Sequence, residues 1–362
     1  MNQRTILRRG APIVAALALG GGAGAGIYAA TSSGTAGTPT ASTTVATAQP
    51  AAVKTTVANL TQLYDNVTPG VVDITVTSAA ASNGFGPGGG TTQAEGSGFV
   101  VDTAGHIVTN EHVVDGATSI SVRFKNGKTV KATLVGTDPS TDIAVIKVDV
   151  PASDLHPLTY GTSSTVEPGQ EVVAIGSPFG LAETMTAGIV SATSRTITAP
   201  NRFSITGAIQ TDAAINHGNS GGPLIDAATN TVIGINDQIE SDTNDNAGIG
   251  FAVPIDKSKA VAQTLIAGGK VQHAYMGIRI EDATGGAKIT QVVKGGPAAK
   301  AGLKAGDVIT SFDGTPITSA DDITAAVSGA KANETVQVTV KRDGSTKHVS
   351  VTLGVQPASP SS

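Results

Sequence analysis

NHGNSGGPL, residues 216–224, sets one serine, Ser220, among glycines, with a histidine, His217, three positions before it. A serine hydroxyl is a weak nucleophile at its free pKa. To attack a carbonyl it needs a base within hydrogen-bond reach and N–H donors aimed at the oxyanion that forms. Gly218, Gly221 and Gly222 let the backbone approach such a carbonyl in conformations barred to residues with a Cβ. Gly, Asn and Ser are equally the residues of an ordinary turn, so this stretch alone leaves a structural turn and a nucleophile turn both open.

Six histidines compete to be the base. His217 is near along the chain, but in a tight turn whose amides face a substrate, a residue three positions back points elsewhere. His106, His156, His273 and His348 stand in turn-like or exposed-strand contexts, where a lone histidine is more often a surface or core residue than a catalytic one. His112, in TNEHVV directly after the strand-like HIVTN, has Val113 and Val114 behind it to lock the backbone that presents its ring. Glu111 beside it is expected to alternate outward along that strand. One candidate for the acid that fixes the histidine's tautomer is Asp142, which opens the apolar run DIAVIKV and would be held, partly buried, at a strand end. Asp115 and Asp138 compete, although turn or cap duty is the ordinary role of either. GNSGG also fits G-x-S-x-G, the nucleophile elbow of α/β-hydrolases, which requires a helix starting at the serine and the acid and histidine downstream. Pro223 and the strand-like PLID and TVIGIND disfavour that context, while His273 and His348 keep the alternative open.

A length of 362 residues suggests about two domains. With 14% charged residues, 3% aromatics and 45 glycines, the composition favours strands and loops. A net charge of -5 gives no sign of a nucleic-acid partner. The chain has no cysteine, which excludes disulfides, thiolate metal sites and a cysteine nucleophile. Arg4, Arg8 and Arg9 precede an uncharged stretch from Gly10 to Ala30, close to the roughly 20 residues that span a bilayer. Residues 1–30 therefore read as a signal-anchor, with a cleaved signal peptide as the alternative. The arginines place the N-terminus in the cytoplasm and everything after Thr31 outside. Residues 31–56 are nearly all Ser, Thr, Ala, Gly and Pro and read as a disordered linker.

From about 67 to 255 the chain is a succession of short Val- and Ile-rich runs bounded by Gly, Pro, Asn or Asp, which predicts an all-β architecture, a barrel pair or a sandwich. NGFGPGGG at 83–90 reads as a surface loop, and Asn126-Gly127 as a type I′ hairpin turn. A connecting helix is expected at 256–268, with Asp256 as N-cap and Gly268-Gly269 as the stop. The remainder mixes two short helices, Pro297–Leu303 and 320–328, with strands that turn at Asp343-Gly344. That pattern predicts a small α+β module or a partly open barrel.

TNEHVV, DPSTDIAVIKV, GNSGGPL, the entry VTPGVVDI and the strand GIGFAVP, in that order, together resemble the HtrA/Deg family of trypsin-fold serine proteases. YMGI at 275–278 and GPAAKAGLKAGDVI resemble the family's PDZ domain, and the likeness covers about 60 to 355. The fold it implies is mainly β, a chymotrypsin/trypsin-like double β-barrel followed by a small α+β PDZ domain. The expected boundaries are a protease domain at 57–258, a connecting helix at 259–272, a PDZ domain at 273–356 and a disordered tail at 357–362.

The resemblance implies catalysis by His112 as base, Asp142 as its orienter and Ser220 as nucleophile, with an oxyanion hole from the amides of Gly218 and Ser220 and no metal or other cofactor. In a trypsin fold Ala214 forms the base of an uncharged S1 pocket with Ile215 and Gly250, which favours cleavage after small or medium aliphatic residues. The strand Gly250 to Ala252 is expected to pair with an extended substrate, and Tyr275, Met276, Gly277 and Ile278 to form the PDZ peptide-binding loop, with the amides of Met276, Gly277 and Ile278 capturing a C-terminal carboxylate. The implied activity is extracytoplasmic degradation of misfolded or damaged envelope or secreted proteins by a membrane-tethered homotrimer. A chaperone or peptide-binding scaffold is the alternative. His217 is expected at most to shape the oxyanion turn.

Overall fold

The computed structural model describes residues 59–79, 91–177, 184–199, 201–216, 218–237 and 248–358, all within one compact unit. The stretch 1–30, the linker 31–56, the loop 83–90 and His217 lie outside the described residues. Among the described residues no helix is long and apolar enough to cross a membrane.

The Val- and Ile-rich runs close into two six-stranded antiparallel barrels. The first contains β1 (Val71–Ala79), β2 (Thr91–Val100), β3 (His106–Thr109), β4 (Ala117–Arg123), β5 (Thr129–Asp138) and β6 (Ile143–Val148), ordered β1-β2-β3-β6-β5-β4. The second contains β7 (Glu171–Gly176), β8 (Thr184–Thr198), β9 (Ser204–Thr211), β10 (Pro223–Asp226), β11 (Thr231–Asp237) and β12 (Gly250–Pro254), ordered β10-β11-β12-β9-β8-β7. Side chains alternate across a strand with period two, and here both faces of several strands are buried. On β6, Ala144, Ile146 and Val148 fill the first barrel while Ile143 and Val145 face the seam between barrels. On β7, Val172 and Ala174 fill the second barrel while Val173 and Ile175 enter the same seam. That double burial is why these strands read as unbroken apolar runs.

The helix α1 (Leu60–Val67), unmarked in the sequence reading, precedes β1 and buries Leu63 and Val67 in the seam. The single turn α2 (Glu111–Val114) follows β3. Asn126-Gly127 departs from the expected type I′ turn. Gly127 alone has positive φ, its N–H donates to the Phe124 carbonyl, and the Phe124 N–H donates to the Lys128 carbonyl. This is a type I turn closed by a glycine bulge, the commonest three-residue hairpin. The connecting helix α3 (Ile255–Ile266) has Pro254, not Asp256, at its cap. Asp256 is drawn away by tertiary partners, accepting from the N–H groups of Ser163 and Ser164 at 3.0 Å.

The C-terminal module comprises β13 (Ala274–Tyr275), β14 (Ile278–Ala283), β15 (Gly286–Val292), α4 (Pro297–Ala301), β16 (Val308–Phe312), β17 (Thr315–Pro316), α5 (Ala320–Gly329), β18 (Thr335–Arg342), β19 (Ser345–Thr352) and β20 (Gly354–Val355). Its main sheet runs β14-β15-β16-β18-β19, with β17 on β16 and β13 paired separately with β20. α4 starts on Pro297 and ends at Gly302 with φ 84°, the asymmetry expected of helix ends. A reciprocal Ser319–Asp322 capping box starts α5. Asp343 and Gly344 both have positive φ, as the turn between β18 and β19 requires.

Candidate active site

Asp142 organises the site. It precedes β6, is wholly buried, and has φ 55°, a left-handed backbone that aspartate tolerates better than most residues. Its carbonyl accepts from Asn110 Nδ2 at 2.9 Å and from the Glu111 N–H at 3.2 Å. Its carboxylate accepts from the His112 N–H through Oδ1 at 2.9 Å and meets His112 Nδ1 through Oδ2 at 2.6 Å. Main chain and side chain thus both fasten the 110–112 segment, one carboxylate fixing the backbone and the ring of the same histidine. A carboxylate at Nδ1 assigns the neutral ring's proton to that nitrogen and leaves the Nε2 lone pair available as a base. Burial lowers the His112 pKa, but the hydrogen bond to Asp142 and the fields of Asp142, Asp237 and Glu111 outweigh it, and the pKa stands above its ordinary value.

The Ser220 turn is built from the other barrel and bolted to β2. The Ser97 N–H donates to the Ser220 carbonyl at 2.8 Å, and Ser97 Oγ donates to the Gly218 carbonyl at 2.6 Å while accepting from the Ser177 N–H. Thr109 Oγ1 donates to the Ser97 carbonyl at 2.6 Å. Gly221 has φ 83°, and a Cβ there would lie 2.2 Å from both the Ser97 carbonyl and Thr109 Oγ1, so only glycine lets the turn seat against the first barrel. The N–H of Asn219 donates to the Asn216 carbonyl, and Gly218 between them has φ 97°, a left-handed backbone that favours glycine. Among the described residues neither the Gly218 nor the Ser220 N–H donates to a backbone carbonyl. Nor does a hydrogen bond join the Ser220 hydroxyl to His112 among them; such contacts are commonly loose without substrate.

The competing residues are engaged elsewhere. Asp138 meets His273 Nε2 through both oxygens at 2.8 Å and accepts from Thr141 Oγ1 at 2.5 Å. Asp115 caps the C-terminal end of α2, and His106 pairs with Asp102 inside its own turn at 2.6 Å. His348 lies beside Thr339 on the exposed face of β19, and His156 is exposed. Glu111 corrects the expectation of an outward-facing strand residue. It sits on the helical turn, is 8% exposed, and burial followed by the charges of Asp115 and Asp142 raises its pKa to about 7. The sequence reading also missed Ser97, Thr109, Asn110 and Asp237. One ligand-type atom from each of His112, Asp142 and Asp237 lies within 4.8 Å of the others. Both Asp142 oxygens are already taken by His112 donors, so the trio reads as an acid–imidazole cluster.

Of the expected S1 residues, Ile215 packs in the core of the second barrel and a Cβ on Gly250 would meet its side chain at 2.8 Å. Ala214 is half-buried, and its carbonyl accepts from Thr186 Oγ1 and Asn219 Nδ2. The expectation that Gly250 to Ala252 pairs with substrate is corrected by the register. β12 is bonded to β11 on one side and β9 on the other, with Phe251 opposite Asp237 and Gln210. An interior strand has no open edge to offer.

In the C-terminal module, β14 is the last strand of its sheet and borders α5 across a groove. A cavity of about 310 Å³ opens there, lined by Tyr275, Met276, Gly277 and Ile278 and by Ile323 and Val327 of α5. Gly277 has φ 77°, and the Met276 side chain is buried in the module's core. Phe203, Ser204 and Ile205 of the protease-like barrel form a further wall of the same cavity.

Two closed barrels with a His–Asp pair and a glycine-lined serine turn at their seam define a trypsin-like peptidase. A trypsin-like peptidase domain model matches residues 96–235, and a PDZ domain model matches 274–353. The chain is 39% identical over 345 residues to a probable periplasmic serine endoprotease DegP-like of Marinomonas sp., covering 83% of this chain and 72% of that protein. It is 42% identical over 288 residues to the serine protease PepD of Mycobacterium tuberculosis, covering 73% of this chain and 62% of that one. It spans 57% of the DegP-like relative from Pseudomonas savastanoi pv. phaseolicola, at 43% identity over 278 residues and 74% of this chain. The solved structure of the HtrA-type protease AlgW with a decapeptide matches at a TM-score of 0.69 and 32% identity, covering 82% of this chain and 98% of that one. The chain belongs to the HtrA family of trypsin-like serine endoproteases with a PDZ domain.

The raised Glu111 pKa has a sign. Because the folded state holds this proton more tightly than the unfolded chain, stability falls as pH rises from the ordinary carboxylate range through about 7. Glu111→Gln is expected to melt about 2–4 °C above the parent at pH 8 and no higher than the parent at pH 5, measured by circular dichroism.

Proposed function

We propose that the chain is an extracytoplasmic serine endopeptidase that cleaves unfolded or damaged proteins, with Ser220 as nucleophile, His112 as general base and Asp142 as its orienter. The double attachment of Asp142 to His112 carries this reading. Ser220 Oγ attacks a peptide carbonyl as His112 Nε2 takes its proton, and the N–H groups of Gly218 and Ser220 receive the oxyanion. The imidazolium then protonates the leaving amine, and water activated by His112 hydrolyses the acyl-enzyme. Asp142 stabilises the imidazolium throughout. The small, uncharged side chain of Ala214 supports cleavage after small or medium aliphatic residues, with Ile215 and Gly250 packed together behind it.

The groove between β14 and α5 supports capture of C-terminal peptides. A peptide adds to the free edge of β14, and the amides of Met276, Gly277 and Ile278 hold its carboxylate. The uncharged run Gly10–Ala30 behind Arg4, Arg8 and Arg9 supports export with retention at the membrane, and the periplasmic relatives agree with an extracytoplasmic site. A homotrimer is the assembly that the family likeness implies.

Unfolded casein is expected to be degraded by the wild-type protein and by neither Ser220→Ala nor His112→Ala, each losing roughly 10⁶-fold in kcat. Equal rates for wild type and Ser220→Ala contradict the peptidase reading and favour the scaffold alternative. At the PDZ groove, amidating the carboxylate of a fluorescent apolar peptide is expected to weaken binding about 10- to 100-fold, the value of hydrogen bonds to a charged group. Val327→Asp should abolish binding, whereas equal affinity of the acid and the amide contradicts carboxylate capture.

A further inference from the structure

Asp237 closes β11 and is 5% exposed, within the same 4.8 Å cluster as the reactive pair. The bonding inside the cluster is unequal. Asp142 receives donors from His112 at both oxygens, while the Asp237 carboxylate receives no N–H donor among the described residues. Two buried carboxylates beside one imidazole carry more potential negative charge than one imidazolium can offset, so their protons and that of the ring are held jointly. Glu111, on the same turn as His112, adds its field to the ring, with Asp115 and Asp138 acting on Glu111 in turn. On the other side, β12 presents Phe251 opposite Asp237 and carries no ionisable side chain.

We propose that Asp237 is a positioning residue for the reaction, a second acid beside the His112 ring that helps Asp142 stabilise the imidazolium and sets the pH at which the site becomes active. This rests on His112 being the base of Ser220. In chemical terms, Ser220 loses its proton to Nε2 while the ring already binds Asp142 through Nδ1. The ring then carries a full positive charge at a half-buried position, and a carboxylate within the same few ångströms holds it there without contact to the substrate. The sign follows from the causes acting on the ring. Burial lowers the His112 pKa, and Asp237 is among the charges that raise it, so removing this carboxylate makes the ring less basic. Burial first, and then the field of Asp142, raises the pKa of Asp237 itself while His112 opposes them. Its charge therefore develops as pH rises past the ordinary carboxylate range, and its support for the imidazolium grows over the same interval.

The test is an NMR titration of the His112 ring in the Ser220→Ala protein, with and without Asp237→Asn, beside pH profiles of kcat/KM in proteins that keep Ser220. Asp237→Asn is expected to lower the His112 midpoint by about 0.5–1 unit, to move the acid limb of kcat/KM down with it, and to reduce the plateau kcat about three- to tenfold. Asp237→Glu should restore most of both shifts. An unmoved midpoint in a folded Asp237→Asn protein that still degrades casein overturns this proposal alone. A midpoint that moves while the rate limb stays overturns it together with the reading of His112 as base. If the asparagine variant fails to fold, Asp237→Ser, which removes the charge with a smaller side chain, is read in the same way.

Discussion

The bond between His112 and Asp142 crosses from a one-turn helix to the residue before β6, where Asp142 takes a left-handed backbone. That conformation points the Asp142 carbonyl at Asn110 and Glu111 while its carboxylate reaches the N–H and ring of His112. The segment carrying His112 is therefore not a free loop. Four hydrogen bonds from Asn110, Glu111 and His112 converge on one wholly buried residue, and each would leave an unsatisfied polar group if broken without replacement.

The same constraint reaches the serine through packing. Ile143 and Val145, directly after Asp142, enter the seam shared with Val173 and Ile175 of the second barrel. Ser97, Thr109 and the glycines of the turn then fix Ser220 against the first barrel by short backbone-directed contacts. The two halves of the chemistry sit on different barrels, and their mutual position is set by an apolar seam with hydrogen bonds at its rim. The loop from Asp138 to Asp142 also touches the PDZ side, where His273 binds Asp138 and Gln356 donates to Ser140 at 2.7 Å. A single short loop thus contacts both His112 and the PDZ domain.

Much of this was legible in the chain. Local chemistry marked the strands, the glycine turn at Ser220, the helix 320–328 and the turn at Asp343-Gly344, because in each case the sequence pattern and the tertiary demand agree. What stayed hidden depends on contacts between distant segments. Asp256 reads as a helix cap but is taken by Ser163 and Ser164, and Glu111 reads as a strand residue but lies on a buried turn. The β12 edge reads as open until β9 and β11 are seen on its two sides. Asp237 is one more polar residue ending a strand in the sequence; its proximity to Asp142 arises only when the second barrel closes on the first. TNEHVV and STDIAV point to the base and acid, but the left-handed backbone joining them has no sequence mark beyond the tolerance of aspartate for it.

Every step of the proposed chemistry starts from Ser220 being the group activated at this seam. The most direct measurement is covalent labelling with an aliphatic serine-directed phosphonate, with the adduct located by peptide mass mapping. One adduct on Ser220, abolished by His112→Ala and strongly slowed by Asp142→Asn, is the predicted result. An adduct on any other residue, or undiminished labelling of Ser220 without His112, would contradict it.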